Sequence, residues 1–262
     1  MDKSTRGFLL VSAIFVLLFL AAINLLVFPD QHWALYTSLL LLSPLYFILG
    51  GDRHLKLYTV IAALFLLAVL AFSNYLETPN YPWILYVIPA VCAWPIVILG
   101  GRKSGAVGYS LFWSILLVLS YVALNLFFEP SFPFSIFTTF GIMWWPLSVG
   151  LAKYPRAFSI VAALWMTTFF IVANFATTDT VWWIYPVFAI WFWPLVMLLL
   201  PRHLTTFSFI GAGLLAVFFV TVNMLTSPNV IWAIYPIFAI MWWPLAVFFF
   251  VYKRRKINRP LL

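Results

Sequence analysis

Residues 182–197 read WWIYPVFAIWFWPLVM, and residues 231–247 read IWAIYPIFAIMWWPLAV. Aligned on Ile-Tyr-Pro, the two stretches agree at most places, and each runs into a Trp-Pro step. A duplication of this kind is read before any motif, because it dictates the architecture. Working outward, the Pro of that step belongs to a series, Pro44, Pro95, Pro146, Pro194 and Pro244, spaced by 48 to 51 residues. Asn24, Asn74, Asn125, Asn174 and Asn223 precede those Pro residues by 20 or 21 positions. An aromatic residue follows each Asn by nine: Trp33, Trp83, Phe134, Trp183 and Trp232. Another stands eight or nine before each Pro: Tyr36, Tyr86, Phe137, Tyr185 and Tyr235. Trp94, Trp145, Trp193 and Trp243 precede their Pro directly, and Ser43 takes that place in the first copy. The chain is thus read as five tandem copies in one domain, bounded near 1–52, 53–103, 104–154, 155–203 and 204–262.

What each copy is follows from composition. The 262 residues are 66% hydrophobic and only 8% charged. A soluble domain is nearer half apolar and a quarter charged, and a chain this short cannot build a core large enough to hide the difference. The solvent is therefore the bilayer, which excludes a soluble enzyme, a nucleic-acid-binding domain and a disordered tail. About 20 apolar residues span the hydrocarbon as a helix. Ten stretches qualify: 8–28, 33–49, 55–76, 81–99, 105–128, 133–152, 156–176, 181–200, 204–225 and 230–252. They are continuously apolar, unlike the alternating strands of a membrane barrel. The expected fold is all-α: a polytopic integral membrane protein of ten transmembrane helices, two to a copy. The apolar run after Lys3 and Arg6 is too long and lacks the cleavage pattern of a signal peptide, so it counts as the first helix.

Charge supports the number ten. If the chain crosses ten times, all fourteen Lys and Arg residues fall on the side that holds both termini. Asp30, Glu77, Glu129 and Asp179 fall on the other, with no basic residue beside them. Basic loops stay in the cytoplasm, so both termini are expected there. One missed span would scramble the separation. Each copy has two helices, so all five point the same way across the membrane. A closed pseudo-fivefold ring is preferred over an open row, because closure protects the ends of a repeat array.

At these residues the sequence resembles the bacterial two-helix membrane hairpin (2TM) domain: an Asn late in a first helix, a short polar turn, then an aromatic, Pro-bearing second helix. The resemblance covers each copy. It implies a bacterial inner-membrane location, a stand-alone protein or a companion of signalling modules, and no catalytic residues.

Three sets of residues are candidates for function. The Pro of each second helix lies about 12 residues in, roughly 18 Å at the helical rise, near the bilayer midplane. Trp ordinarily prefers the headgroup interface. Even so, Trp94, Trp144, Trp145, Trp191, Trp193, Trp242 and Trp243 accompany Pro95, Pro146, Pro194 and Pro244 at depth. These residues either wedge kinked helices together or line an aromatic midplane cavity for an amphipathic, lipidic or cationic ligand. The five Asn residues either hold the hairpins by interhelical hydrogen bonds or form a polar ring at an outer mouth. Asp30, Glu77, Glu129 and Asp179 either cap the helices that follow them or ring an outer entrance and attract cations.

The basic cluster Lys253, Arg254, Arg255, Lys256 and Arg259 reads as a topology anchor, with contact to anionic lipid as its functional alternative. Gly50–Gly51 and Gly100–Gly101 read as helix C-caps. No Asp, Glu, Lys or Arg lies within the apolar part of any span, which disfavours an ion-coupled pump and an enzyme alike. His32, His54, His203 and the single Cys92 have no metal-ligand spacing, so no cofactor or metal is expected. Two functions follow as expectations. One is a channel- or transporter-like protein that binds or passes a small or amphipathic ligand through the aromatic cavity without ion coupling. The other is a membrane-embedded sensor or scaffold subunit acting through a membrane-protein partner.

Overall fold

The computed structural model describes residues 3–200 and 202–257, with the side chains of 4–200 and 202–254. Asp2 and Arg259 lie outside the described residues, as do the side chains of Lys3, Arg255 and Lys256. Every regular element among the described residues is helical. The helical segments are α1 Lys3–Val27, α2 Ala34–Ile48, α3 Leu55–Glu77, α4 Ile84–Gly100, α5 Val107–Phe128, α6 Ser135–Leu151, α7 Pro155–Thr177, α8 Ile184–Leu199, α9 Leu204–Thr226 and α10 Ile234–Ile257.

Local chemistry explains the ends. Gly50, Gly51 and Gly101 have positive φ (94°, 62° and 52°) and stop α2 and α4, a conformation that costs glycine nothing. Pro155 opens α7, where its missing N–H has no helical partner to lose. Inside α2, residues Ser38–Leu41 tighten to a 3-10 turn. Pro44 cannot donate to the carbonyl four residues back, and the backbone there takes up the shorter repeat.

Among the described residues, seven helices are long and apolar enough to cross a membrane: Ser4–Val27, Gly51–Glu77, Ile84–Gly105, Val107–Phe128, Pro155–Thr177, Leu204–Thr226 and Ile234–Arg254. Three apolar helices are shorter, Ala34–Ile48, Ser135–Leu151 and Ile184–Leu199. The expected spans at 33–49, 133–152 and 181–200 were drawn too long at their starts for one reason. Trp33, Pro133, Phe134, Val181, Trp182 and Trp183 are apolar, yet they sit in the turns and not in the helices.

The chain divides into two compact units, Met1–Pro130 and Ser131–Leu262. The boundary falls in the turn between α5 and α6, inside the third copy and not between copies. Within the first unit each helix packs on its sequence neighbours, from α1 to α5; within the second the same holds from α6 to α10.

Burial runs opposite to a water-soluble protein. The fully buried side chains include Asn174, Thr59, Pro244, Ser73, Ser110, Ser114, Ser159 and Ser208. The outside carries Leu26, Phe127, Phe175 and Tyr75. Small residues inside let helix backbones approach, and polar ones bond between helices; large apolar ones face a solvent as apolar as themselves. A membrane location follows.

Candidate functional site

The Asn series closes the turns. Asn24 Nδ2 donates to the carbonyls of Phe28 (2.9 Å) and Gln31 (2.6 Å), and its Oδ1 accepts from the Ala34 N–H (2.9 Å). Asn74 repeats the pattern with Thr78 (3.0 Å), Tyr81 (2.8 Å) and Ile84 (3.2 Å). Asn223 does so with Ser227 (2.9 Å), Val230 (2.7 Å) and Ala233 (2.9 Å). Asn174 donates to Thr178 (3.3 Å) and Thr180 (2.9 Å) and accepts from the N–H groups of Trp182 (2.7 Å) and Trp183 (2.9 Å). Asn125 donates to the Glu129 carbonyl (2.6 Å). Each side chain stands near the end of a first helix and binds the turn; Asn24 and Asn74 also reach the first residue of the second helix, and Asn174 and Asn223 the residues just before it. An amide offers two donors and one acceptor oxygen, and these are spent on backbone. That arrangement fits the hairpin-holding role and leaves little for a polar mouth.

The acids behave otherwise than expected. Asp30, Glu77, Glu129 and Asp179 stand four to seven residues before α2, α4, α6 and α8. The cap positions themselves are Trp33, Trp83, Phe134 and Trp183, with helical backbone and no side-chain cap. Capping by Asp30, Glu77 and Asp179 is therefore corrected. For α2, α4 and α10, and for the turn leading into α8, a carboxamide oxygen from the preceding helix accepts the orphan N–H groups, which removes the need for a local carboxylate. Asp30, Glu77 and Asp179 are exposed. Glu77 has a defined neighbour: the Tyr36 hydroxyl of α2 donates to Glu77 Oε2 (3.2 Å) and hydrogen-bonds Ser73 Oγ of α3. Tyr36→Phe is expected to loosen the α2–α3 junction by about 1 kcal/mol, the usual worth of an interhelical hydrogen bond in a membrane. Unfolding midpoints in bicelles measure it, and Glu77→Gln, which keeps an acceptor, should lose less.

The deep aromatics pack. Trp94 meets Tyr58 edge-on (ring centroids 6.1 Å apart), Trp193 meets Phe158 (5.8 Å) and Trp243 meets Phe207 (5.6 Å). Trp144 meets both Phe140 (5.8 Å) and Phe158 (6.4 Å). Pro146, Pro194 and Pro244 are buried and Pro95 half-buried. Trp145 and Trp191 are half-buried, whereas Trp242 is largely exposed. Edge-to-face pairs add about 0.5–1.5 kcal/mol each beyond area burial.

The partners Tyr58, Phe158 and Phe207 stand sixteen residues before an Asn, a place that Phe8 and Tyr109 hold in the other two copies and that the sequence did not single out. Directly after it come Thr59, Ser110, Ser159 and Ser208, all fully buried with the hydroxyl returned to their own helix. The signal was present as a spacing, but Phe and Tyr are so frequent in this chain that one more aromatic series did not stand out. Two tyrosines of α5 also grip α4. Tyr109 donates to the Ile96 carbonyl (2.7 Å) just after Pro95, and Tyr121 to the Tyr86 carbonyl (3.1 Å) in the turn before Pro89.

Two grooves mark the first unit. One of about 380 Å³ is lined by Asn24, Gln31 and His32 together with Leu25, Leu35 and Phe72. One of about 240 Å³ is wholly apolar, between Leu10, Leu41, Leu45 and Ile61. Neither is lined by Trp94 or Pro95. At the far end of α10, Lys253 and Arg254 are exposed on the helix that carries the basic cluster.

Compared with known proteins, the chain matches no family model, no curated protein and no solved structure. The resemblance to the two-helix hairpin family therefore has no support from these comparisons.

Proposed function

We propose that the protein is a membrane-embedded scaffold or sensor subunit that acts by binding another membrane protein and has no catalysis of its own. The observation that carries this reading is how the candidate groups are used. The Asn amides close turns and most of the deep Trp rings are paired with aromatics of neighbouring helices. What is left for a partner is a broad apolar surface with a basic end.

In this reading all ten helices cross, as five tandem hairpins with both termini in the cytoplasm. Segregation of the fourteen basic residues supports it. Leaving α2, α6 or α8 out of the membrane would place some of those residues on the acidic side. These three helices are short by only a few residues, and flanking aromatics and slight bilayer thinning accommodate such a mismatch. The exposed Lys253 and Arg254 then meet anionic headgroups.

Native mass spectrometry after gentle extraction tests the reading. A stoichiometric membrane-protein partner without a small-molecule adduct is expected. A co-purifying small molecule that disappears when Trp145, Trp193 and Trp243 become Leu would overturn it in favour of the ligand cavity.

A further inference from the structure

The two hairpin junctions of the second unit, α6–α7 and α8–α9, share one aromatic pattern; at α2–α3 and α4–α5 the forward positions hold Ser38, Leu42, Pro89 and Ala93 instead. In α6–α7, Phe140 stacks on Phe169 (3.9 Å) and Trp144 meets Phe158 edge-on. In α8–α9, Phe188 packs on Phe218 (5.3 Å), and Phe192 lies against Gly211. The residues that reach forward stand six and two places before the Pro of the second helix. Those that receive them include the aromatic five places before the Asn of the next first helix, Phe169 or Phe218, and, at α6–α7, the aromatic sixteen places before it. All these side chains are half-buried.

The chain carries one unused copy of each half. On α10 the forward positions are Phe238 and Trp242, 69% and 62% exposed. On α1 the receiving positions are Phe19 and Phe8, 59% and 71% exposed. Lipid tolerates any apolar face, so exposure alone says nothing. What matters is register: α10 repeats the aromatic face of α6 and α8, and α1 repeats the aromatic positions of α7 and α9 that receive it.

We propose that a second copy of this chain occupies that face, with α10 of one copy packing onto α1 of the next as α8 packs onto α9. The contact is heterologous, one face meeting a different one, so it builds a ring of chains or a linear array and not a two-fold dimer. The inference rests on the inner junctions and is independent of the scaffold reading. A partner screen for that reading and the pairing test below fail separately.

The test uses full-length protein with Cys92→Ala. Phe19→Cys with one tag and Phe238→Cys with another are co-expressed, and the membranes are oxidised. The inner counterparts lie 3.9 and 5.3 Å apart by ring centroid, so a disulfide-linked dimer bearing both tags is expected, with loss of that product when both chains carry the same cysteine. Three outcomes overturn the proposal. One is no dimer. Another is equal dimer from like cysteines. The third is an internal disulfide alone in a single chain that carries both, meaning closure within one chain. If the cysteine variants fail to accumulate, photobleaching steps of labelled parent protein in native nanodiscs decide. More than one chain per particle, reduced by Trp242→Ala, supports the proposal; a single chain overturns it.

Discussion

Asn174→Leu is expected to destabilise the α7–α8 hairpin by about 3 kcal/mol, since each buried backbone group left without a partner costs about 1–3 kcal/mol. The substitution keeps the branching of the side chain and removes four hydrogen bonds at once, to Thr178, Thr180, Trp182 and Trp183. Asn174 is 1% exposed, so water cannot replace the amide readily. The N–H groups of Trp182 and Trp183 belong to the turn entering α8 and have nowhere else to go. Asn174→Asp separates the two halves of the effect. It retains an acceptor for the Trp N–H groups; at acid pH the protonated carboxyl also keeps one donor and should cost about half as much, whereas at neutral pH the buried carboxylate faces the carbonyls of Thr178 and Thr180 and should cost more. Unfolding free energies from steric trapping in bicelles measure both. A Leu variant within about 0.5 kcal/mol of the parent, the range of a neutral surface change, would mean the turn holds without its Asn.

Gly211→Val is the second large effect, expected at about 3 kcal/mol, the upper end for overpacking a well-filled contact. A Cβ on Gly211 would lie 2.9 Å from the Trp243 ring and 3.5 Å from Phe192. Trp243 cannot swing away cheaply, because Phe207 stands against it edge-on and the buried Pro244 follows it directly in α10. Helix propensity offsets only a few tenths of a kcal/mol of this, since β-branched Val is a modest gain over Gly. Trp243→Leu in the same chain opens space and should recover part of the loss, a coupling that a double-mutant cycle reads directly. If the two changes are additive, the ring and the glycine do not share a contact.

The helices were legible because nothing interrupts their apolar runs except the turns. Ends marked by Gly50, Gly101 or Pro155 fell within a few residues of where chemistry puts them. The starts of the second helices were not legible. Trp33, Phe134 and Trp183 look like membrane-helix residues by composition, and only the folded turn shows that they precede the first helical turn. The Asn positions stood out by spacing, and their hairpin-holding role could be weighed from residue type. The specific bonds could not, because an acceptor reaching ten residues forward to a helix N-terminus leaves no local signature. That same reach is why Asp30, Glu77 and Asp179 looked like caps and are not. The Trp side of each aromatic pair was conspicuous; Tyr58, Phe158 and Phe207 were hidden among similar residues, and their significance lies in which Trp they face.

The Asn clasp also bears on how the chain is made. Its bonds span four to ten residues, so each turn closes as soon as the first residues of the second helix have left the ribosome. Contacts this local form quickly and carry little loop-closure entropy. Synthesis can therefore hand the membrane one locked helix pair after another, each with its buried polar groups already satisfied, and no pair has to wait for a distant segment of the polypeptide to be translated.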